Sequence, residues 1–316
     1  MTRWDNLYGR SYLLQIGVLT ALAIVAAYAA AFFFGGKQPH LIQEYFLLAL
    51  QALIVIGGSS LACYTILLAV AGEPQPLRKV VKVIRPYVTI EYLRQHLLPL
   101  LFTFLFLGAF SELKALIPMF HFFAWDQTFS DYDRLLFAGS DPWRITHALI
   151  GASGTWFIDI VYSFWLPIFT GVVLYFSAFA NEEQQRRFFL CLYRMWIILG
   201  LIAAIVFSSA GPCFLELIHN PYASRYGGLF PLHDAQFTRD TMDYVAMSYS
   251  KHTRVLGVGI SAMPSMHVAM ALLFALVPVT RIMKIVGLCY YILIFIGSVH
   301  LGWHYAVDGV VSTIAA

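Results

Sequence analysis

Residues 264–308 read PSMHVAMALLFALVPVTRIMKIVGLCYYILIFIGSVHLGWHYAVD. Two apolar runs, at about 264–280 and 284–301, are separated by a turn that carries Arg281 and Lys284. A helix needs roughly 20 apolar residues to cross a bilayer, so the stretch reads as a hairpin of two membrane spans. Its polar side chains gather at one end. His267 opens the first run, and His300, His304 and Asp308 close the second. Ionisable groups at a membrane level are costly, which makes this end of the hairpin the first place to look for chemistry.

The rest of the chain has the same character. Of its 316 residues, 60% are hydrophobic, 16% aromatic and 12% charged, and the mean hydropathy is +0.73. A soluble domain carries roughly 25% charged residues; half of that does not cover a globular surface. The composition excludes a soluble enzyme, a disordered chain and a disulfide-stapled secreted domain. The balance of 20 Lys+Arg against 17 Asp+Glu is too mild for a nucleic-acid partner. Cys63, Cys191, Cys213 and Cys289 form no CxxC pair, and three of them fall in apolar runs where they read as small buried hydrophobes.

Further spans are expected at 12–34, 45–71, 97–118, 156–178 and 189–209, and an eighth begins near His304. The first run lacks a small-residue cleavage site and reads as a retained helix rather than a signal peptide. Alternate loops are basic: Arg3 and Arg10; Arg78, Lys79, Lys82, Arg85 and Arg94; Arg186 and Arg187; Arg281 and Lys284. By the positive-inside bias the N-terminus is cytoplasmic. The loops 35–44, 119–155 and 211–263 then lie on the extracytoplasmic face, together with His267, His300, His304 and Asp308. The segment Leu77–Gln95 alternates basic and apolar residues and reads as an amphipathic helix on the cytoplasmic surface. Residues 130–154 read as loop plus an interfacial helix.

The expected fold is all-α: a polytopic transmembrane helical bundle. Residues 1–96 hold two N-terminal spans and the amphipathic segment. Residues 97–316 hold a six-helix catalytic core with an outer-face active site.

Each polar residue of the hairpin has a chemical use. Pro264 suits the first turn of a helix, where no amide hydrogen is required. The free amides of that turn form an anion site, Ser265 adds a hydroxyl donor, and His267 lies about one turn in. His304 and Asp308 are four residues apart and share a helix face. A carboxylate beside an imidazole sets its tautomer; a neutral, oriented imidazole is a nucleophile towards phosphorus, and a second imidazole protonates the leaving oxygen.

On these residues the chain resembles the type 2 phosphatidic acid phosphatase superfamily. Pro264-Ser265-Met266-His267 is similar to its P-S-x-H motif, and His304-Tyr-Ala-Val-Asp308 to its H-x3-D motif. The resemblance is close over the C-terminal 60 or so residues and looser over the core. It implies that His304 is the nucleophile that becomes phosphohistidine, that Asp308 orients it, and that His267 is the acid for the leaving group, with no cofactor and no metal. The context GISAMPSMHVA and HYAVD, with Asp133–Trp143, is most similar to the inositol phosphorylceramide synthase branch. That branch implies a lipid phosphotransferase with membrane lipids as donor and acceptor. With water as acceptor the same site is a lipid phosphate or polyprenyl pyrophosphate phosphatase.

The chain departs from the superfamily pattern in two places. Hydrolytic members have Ser-Arg ahead of the nucleophilic His; Gly297 and Ser298 stand there, and the phosphate-binding Arg is missing. The K-x6-R-P echo at Arg78 and Arg85-Pro86 falls in a cytoplasmic loop, a membrane thickness from the site. The phosphate must then meet other cations. Lys251 and Arg254 lie just before the His267 helix and are the expected phosphate ligands; Arg134, Arg144, Arg225 and Arg239 are further outer-face candidates. His300 is a weaker binding candidate, one turn before His304. Asp159 and Tyr162 are polar interruptions of the fourth span, and Glu112 and Lys114 read as an interfacial pair.

Two other classes fit less well. His300-x3-His304-x3-Asp308 has helical spacing suited to metal ligands, but it is a single box where di-iron oxidases use several. A transporter would be expected to show repeated halves with broken helices in matching positions, and none is visible. The sequence leaves the donor, the acceptor and the oligomeric state open.

Overall fold

In the computed structural model the regular elements among the described residues are all helices, and five or six are long and apolar enough to cross a membrane. The structure describes residues 3–34, 38–120, 122–230, 232–257, 259–277 and 280–316; the side chains of residues 3–10, Arg3 and Arg10 among them, and of Phe120 lie outside this description. The protein is an all-α, multi-pass membrane protein. Its chain forms two compact units, residues 1–110 with 173–186, and residues 111–172 with 187–316.

The first unit contains α1 (Arg3–Phe33), α2 (Leu41–Val70), α3 (Pro76–Ile84) and most of α4 (Ile90–Lys114). Ile54, Val55, Ile66, Leu67 and Val70 of α2 are exposed, as expected of a helix whose solvent is lipid. Polar anchors tie this unit together: the Tyr12 hydroxyl donates to Gln185 Oε1 at 2.9 Å, and Gln185 Nε2 donates to the Ser177 carbonyl at 2.9 Å. A Cβ at Gly108 would lie 2.6 Å from Ile42 Cα, so only glycine lets α4 approach the start of α2 this closely.

The second unit contains a short helix, α5 (Ile117–Phe120), then α6 (Asp126–Leu136), α7 (Pro142–Leu149) and α8 (Ala152–Ser163). It also takes up parts of α9 (Trp165–Ala178) and α10 (Glu182–Ile197), then α11 (Ala204–Val206), α12 (Gln236–Ser250), α13 (Met266–Leu276), α14 (Arg281–His300) and α15 (Ala306–Ala315). Helices α13 and α14 form the expected hairpin. Helix α14 also packs on α7, α8 and α15, α15 packs on α13 and α6, and α12 packs on α8. At the hairpin crossing, a Cβ on Gly287 would meet the backbone of Phe274 and Ala275 at 2.7–2.8 Å, so the two backbones nearly touch.

Several expectations are corrected. The fourth span is a bent pair, α8 and α9, with a 44° angle between them. Pro167 stands in the first turn of α9 and has no N–H to continue the ladder from α8. Residues 264–280 do not form a full crossing: α13 has 11 residues, about 16 Å of helix against a hydrocarbon core of about 30 Å. The fifth span passes through a π-helical segment, Ile198–Ala203, before α11. The amphipathic segment is shorter than expected. Helix α3 ends at Ile84, Arg85–Tyr87 form a 3₁₀ turn around Pro86, and α4 starts at Ile90. Residues 130–154 carry the end of α6, the whole of α7 and the start of α8, rather than a loop and one helix. Cys63 and Cys289 are exposed, not buried, because they lie on outward faces of long apolar helices.

Candidate active site

The site is built where the segment leading into α13 meets the turn between α14 and α15, wholly within the second unit. Helix α14 ends at His300, and Leu301–Tyr305 make the turn. Gly302 sits there at φ +78°, a left-handed conformation that glycine adopts without the steric cost of a side chain. The turn is anchored at both ends: the His304 amide donates to the Ser298 carbonyl at 3.0 Å, and the Cys213 amide donates to the Gly302 carbonyl at 3.0 Å.

His304 is buried, with 7% exposure. Its Nδ1 lies 2.8 Å from the Ala262 carbonyl and 3.3 Å from Asp308 Oδ2. Both neighbours are acceptors, so Nδ1 carries the proton and Nε2 carries the lone pair. Burial pushes this imidazole down to about 3, against the opposing effect of the Ala262 bond. The ring is therefore neutral at physiological pH, the state in which an imidazole is nucleophilic. Asp308 Oδ2 also accepts the Tyr305 amide at 3.0 Å, which closes the first turn of α15, while its Oδ1 has no partner among the described residues.

The second motif is held in register with the first. The Ala262 amide donates to the Ser209 carbonyl at 2.9 Å, and the Met263 amide to Ser209 Oγ at 3.1 Å. Pro264 follows a cis peptide bond and stands ahead of the helix rather than in its first turn. Ser265 is the N-cap of α13, and its hydroxyl accepts the Val268 amide at 3.4 Å. It thus takes up one of the first-turn donors, while its own proton remains available. His267 stands in the first turn of α13. Its ring stacks on Tyr162 at 4.9 Å, meets Trp165 at 4.5 Å, and faces the His304 ring at 6.1 Å. Two imidazoles at that separation are both within reach of one phosphoryl group placed between them. Trp303 stacks on Tyr162 at 6.5 Å and extends this aromatic wall.

Three buried aspartates each span two backbone amides, and two of them, Asp126 and Asp133, hold the segments around His304. Asp126 accepts from Ala210 and Gly211 at 2.9 Å each, and Oδ1 also takes the Tyr305 hydroxyl at 2.9 Å. Asp133 accepts from Ala306 and Val307 at 2.8 Å each, the two amides that open α15 directly after His304. Asp159, a polar interruption of the fourth span, accepts from Phe237 and Thr238 at 2.9 and 2.8 Å and so caps α12. Burial pushes the Asp126 carboxyl up, and the bonds it accepts from Ala210, Gly211 and Tyr305 oppose this. Burial pushes Asp133 up to about 7, against its bonds from Ala306 and Val307. Asp159 was legible as an aspartate inside an apolar stretch, whereas Asp126 and Asp133 lie in a polar segment; which distant amides each would cap was not legible.

The other expected residues are placed elsewhere. His300 packs its ring 4.4 Å from His147, with Nε2 2.9 Å from Thr155 Oγ1, and is not brought against His267 or His304. Arg254 pairs with Glu112 at 2.6 Å, so Glu112 is the partner of Arg254 and not of Lys114. Lys251 is exposed at the C-terminal end of α12. Arg225 is held by Asp141 at 2.6 Å and Asp131 at 3.1 Å, and Arg144 lies 3.3 Å from Asp141. Arg239 bonds to the Leu232 carbonyl and Gln236, and Arg134 to the Gly139 carbonyl. Lys114, in contrast, is close enough for its charge to act on both His267 and His304.

Two facing imidazoles, one beside a buried carboxylate, are an arrangement suited to phosphate-ester chemistry. The sequence profile of the PAP2 superfamily matches residues 127–316, and the chain belongs to that superfamily of lipid phosphate phosphatases and phosphotransferases. No curated protein and no solved structure matches it.

Proposed function

We propose that the protein is a lipid phosphotransferase that moves a phosphate-linked headgroup from a phospholipid donor to a lipid alcohol through a phosphohistidine on His304. The observation that carries this reading is the pair of acceptors at His304 Nδ1, which leaves the Nε2 lone pair for attack with His267 6.1 Å away. His304 Nε2 attacks phosphorus, the bond from phosphorus to the diacylglycerol oxygen breaks, and His267 gives that oxygen a proton. The acceptor hydroxyl then attacks phosphorus, its proton passes to His267, and the phosphorus–nitrogen bond breaks. Asp308 holds His304 and stabilises the positive charge that develops on it. Ser265 and the first-turn amides of α13 bind the phosphate oxygens.

Transfer to a lipid is favoured over hydrolysis by two features. Gly297 and Ser298 stand where hydrolytic members carry Ser-Arg, and His304 is largely shielded from solvent. The likeness of residues 259–269 and 304–308 to the inositol phosphorylceramide synthase branch supports ceramide as the acceptor. The positive-inside pattern supports a site on the extracytoplasmic face, with the exposed Lys251 lending positive potential on the approach.

The test uses purified protein in lipid nanodiscs and phospholipids labelled in the headgroup phosphate, with and without ceramide or diacylglycerol. A labelled lipid that forms only with acceptor, and is lost in His304→Ala and His267→Ala, is the expected outcome. Acceptor-independent release of a water-soluble phosphate compound would make the enzyme a phosphatase. Products undiminished in His304→Ala would remove the nucleophile assignment.

A further inference from the structure

We infer that Lys114, at the C-terminal end of α4, is the cation that binds the substrate phosphate between His267 and His304. The inference rests on the phosphoryl-transfer reading above and names the group that meets the phosphate charge there.

The need for such a group follows from the site itself. A phosphodiester brings at least one negative charge to a largely buried imidazole, and a charge taken out of water requires a partner. The superfamily arginine is missing at Gly297–Ser298. The outer-side guanidinium groups are engaged elsewhere: Arg254 by Glu112, Arg225 and Arg144 by Asp141, Arg239 by Leu232 and Gln236, and Arg134 by Gly139.

Lys114 is different. Its stem lies along Gly259, where a Cβ would sit 3.0, 3.2 and 3.4 Å from its Cγ, Cδ and Cε. Any side chain at position 259 would therefore crowd the lysine, and from Gly259 the chain runs on to Ala262, which holds His304, and to Ser265, which caps the His267 helix. Among the described residues its ammonium has no ion pair and no hydrogen bond, although it is half-buried. Its charge reaches both imidazoles. The rings around His267 add neutral donors in the same condition: the Tyr162 hydroxyl and the Nε1 atoms of Trp165 and Trp303 are buried and have no partner among the described residues. A cation and several donors without acceptors, grouped about two imidazoles, are the complement of a tetrahedral oxyanion.

The experiment measures the thermal unfolding midpoint of the full chain in nanodiscs against inorganic phosphate concentration, for the wild type, Lys114→Met, Lys114→Arg and His304→Ala. Phosphate is expected to raise the midpoint of the wild type and of His304→Ala. Lys114→Met should weaken the apparent phosphate affinity about 10- to 100-fold, the worth of a charged hydrogen bond, and Lys114→Arg should stay within a few-fold of wild type. Methionine keeps the apolar stem against Gly259, so its midpoint without phosphate should equal or exceed that of the wild type. If that variant does not fold, Lys114→Gln takes its place in the same titration. Wild-type affinity in the folded Met or Gln variant, or a wild-type chain that phosphate does not stabilise, overturns the assignment. Turnover of His304→Ala, measured in parallel, separates the two claims. An inactive His304→Ala beside a phosphate-binding Lys114→Met keeps the reaction and removes the lysine.

Discussion

The Nδ1 atom of His304 lies 2.8 Å from the carbonyl oxygen of Ala262, so the backbone just ahead of the His267 helix sets the tautomer of the proposed nucleophile. Asp308 is the more distant acceptor, at 3.3 Å. This ordering separates two tasks that a lone carboxylate would perform together. The carbonyl directs the proton to Nδ1, and the carboxylate supplies charge.

Asp308→Asn should therefore be milder than an exchange that scrambles the tautomer. With the Ala262 carbonyl still in place, turnover is expected to fall about 10- to 100-fold, against losses of about 10⁴-fold where the carboxylate alone sets the tautomer. His304→Ala should abolish turnover. Steady-state rates of the two variants in nanodiscs check the comparison; an Asp308→Asn as inactive as His304→Ala would show that the carbonyl does not hold the tautomer by itself.

Gly211 tests how rigidly the turn of His304 must be held. It has φ +91°, and a Cβ there would lie 2.6 Å from the Trp303 carbonyl oxygen and 3.0 Å from Ala262 Cβ. Gly211→Ala is expected to destabilise the fold by at least about 1–2 kcal/mol from the backbone conformation alone, and to lower turnover by displacing residues 303 and 262, which flank and hold His304. Denaturant unfolding and turnover should move together. Normal activity with reduced stability would mean that the clash is relieved away from the turn.

Asp133 gives a pH dependence whose sign can be worked out. Its folded-state value is raised to about 7 from an ordinary 3.8 by burial, so between those values the folded chain binds more protons than the unfolded chain. Stability from this group is complete below about pH 4 and is lost as pH rises towards 7. Asp133→Asn should remove that part of the slope. His304 works in the opposite direction: its value is lowered to about 3, so its contribution rises with pH from about 3 to the ordinary histidine value of about 6.5. Unfolding midpoints of the wild type and Asp133→Asn between pH 4 and 7 provide the check. An unchanged slope in the variant would place the titration elsewhere.

The sequence alone determined the class of the protein and pointed to the residues proposed to react. Apolar length and charge scarcity settle a helical membrane protein, because the bilayer requires a run of about 20 apolar residues per crossing and admits few other solutions. His267, His304 and Asp308 were legible because polar side chains in an apolar run are costly and stand out, and because Pro264–His267 and His304–Asp308 are local spacings. Local chemistry also marked the break in the fourth span at Pro167, although the sequence reading ran one helix through it.

The tertiary structure decided everything that depends on distant partners. Asp126 meets Ala210 and Gly211, Asp133 meets Ala306 and Val307, and Asp159 meets Phe237 and Thr238; no periodicity announces such pairs. Helix α13 stops after 11 residues where the hydropathy ran on, because hydropathy measures transfer to lipid and not the continuity of a hydrogen-bond ladder. The cations show the same division. Counting charges by loop singled out Lys251 and Arg254, of which Arg254 is neutralised by Glu112, and took Lys114 for half of an interfacial pair. Which cation remains free for an anion depends on which carboxylates the fold brings to the others, and that is a property of packing in three dimensions rather than of order along the chain.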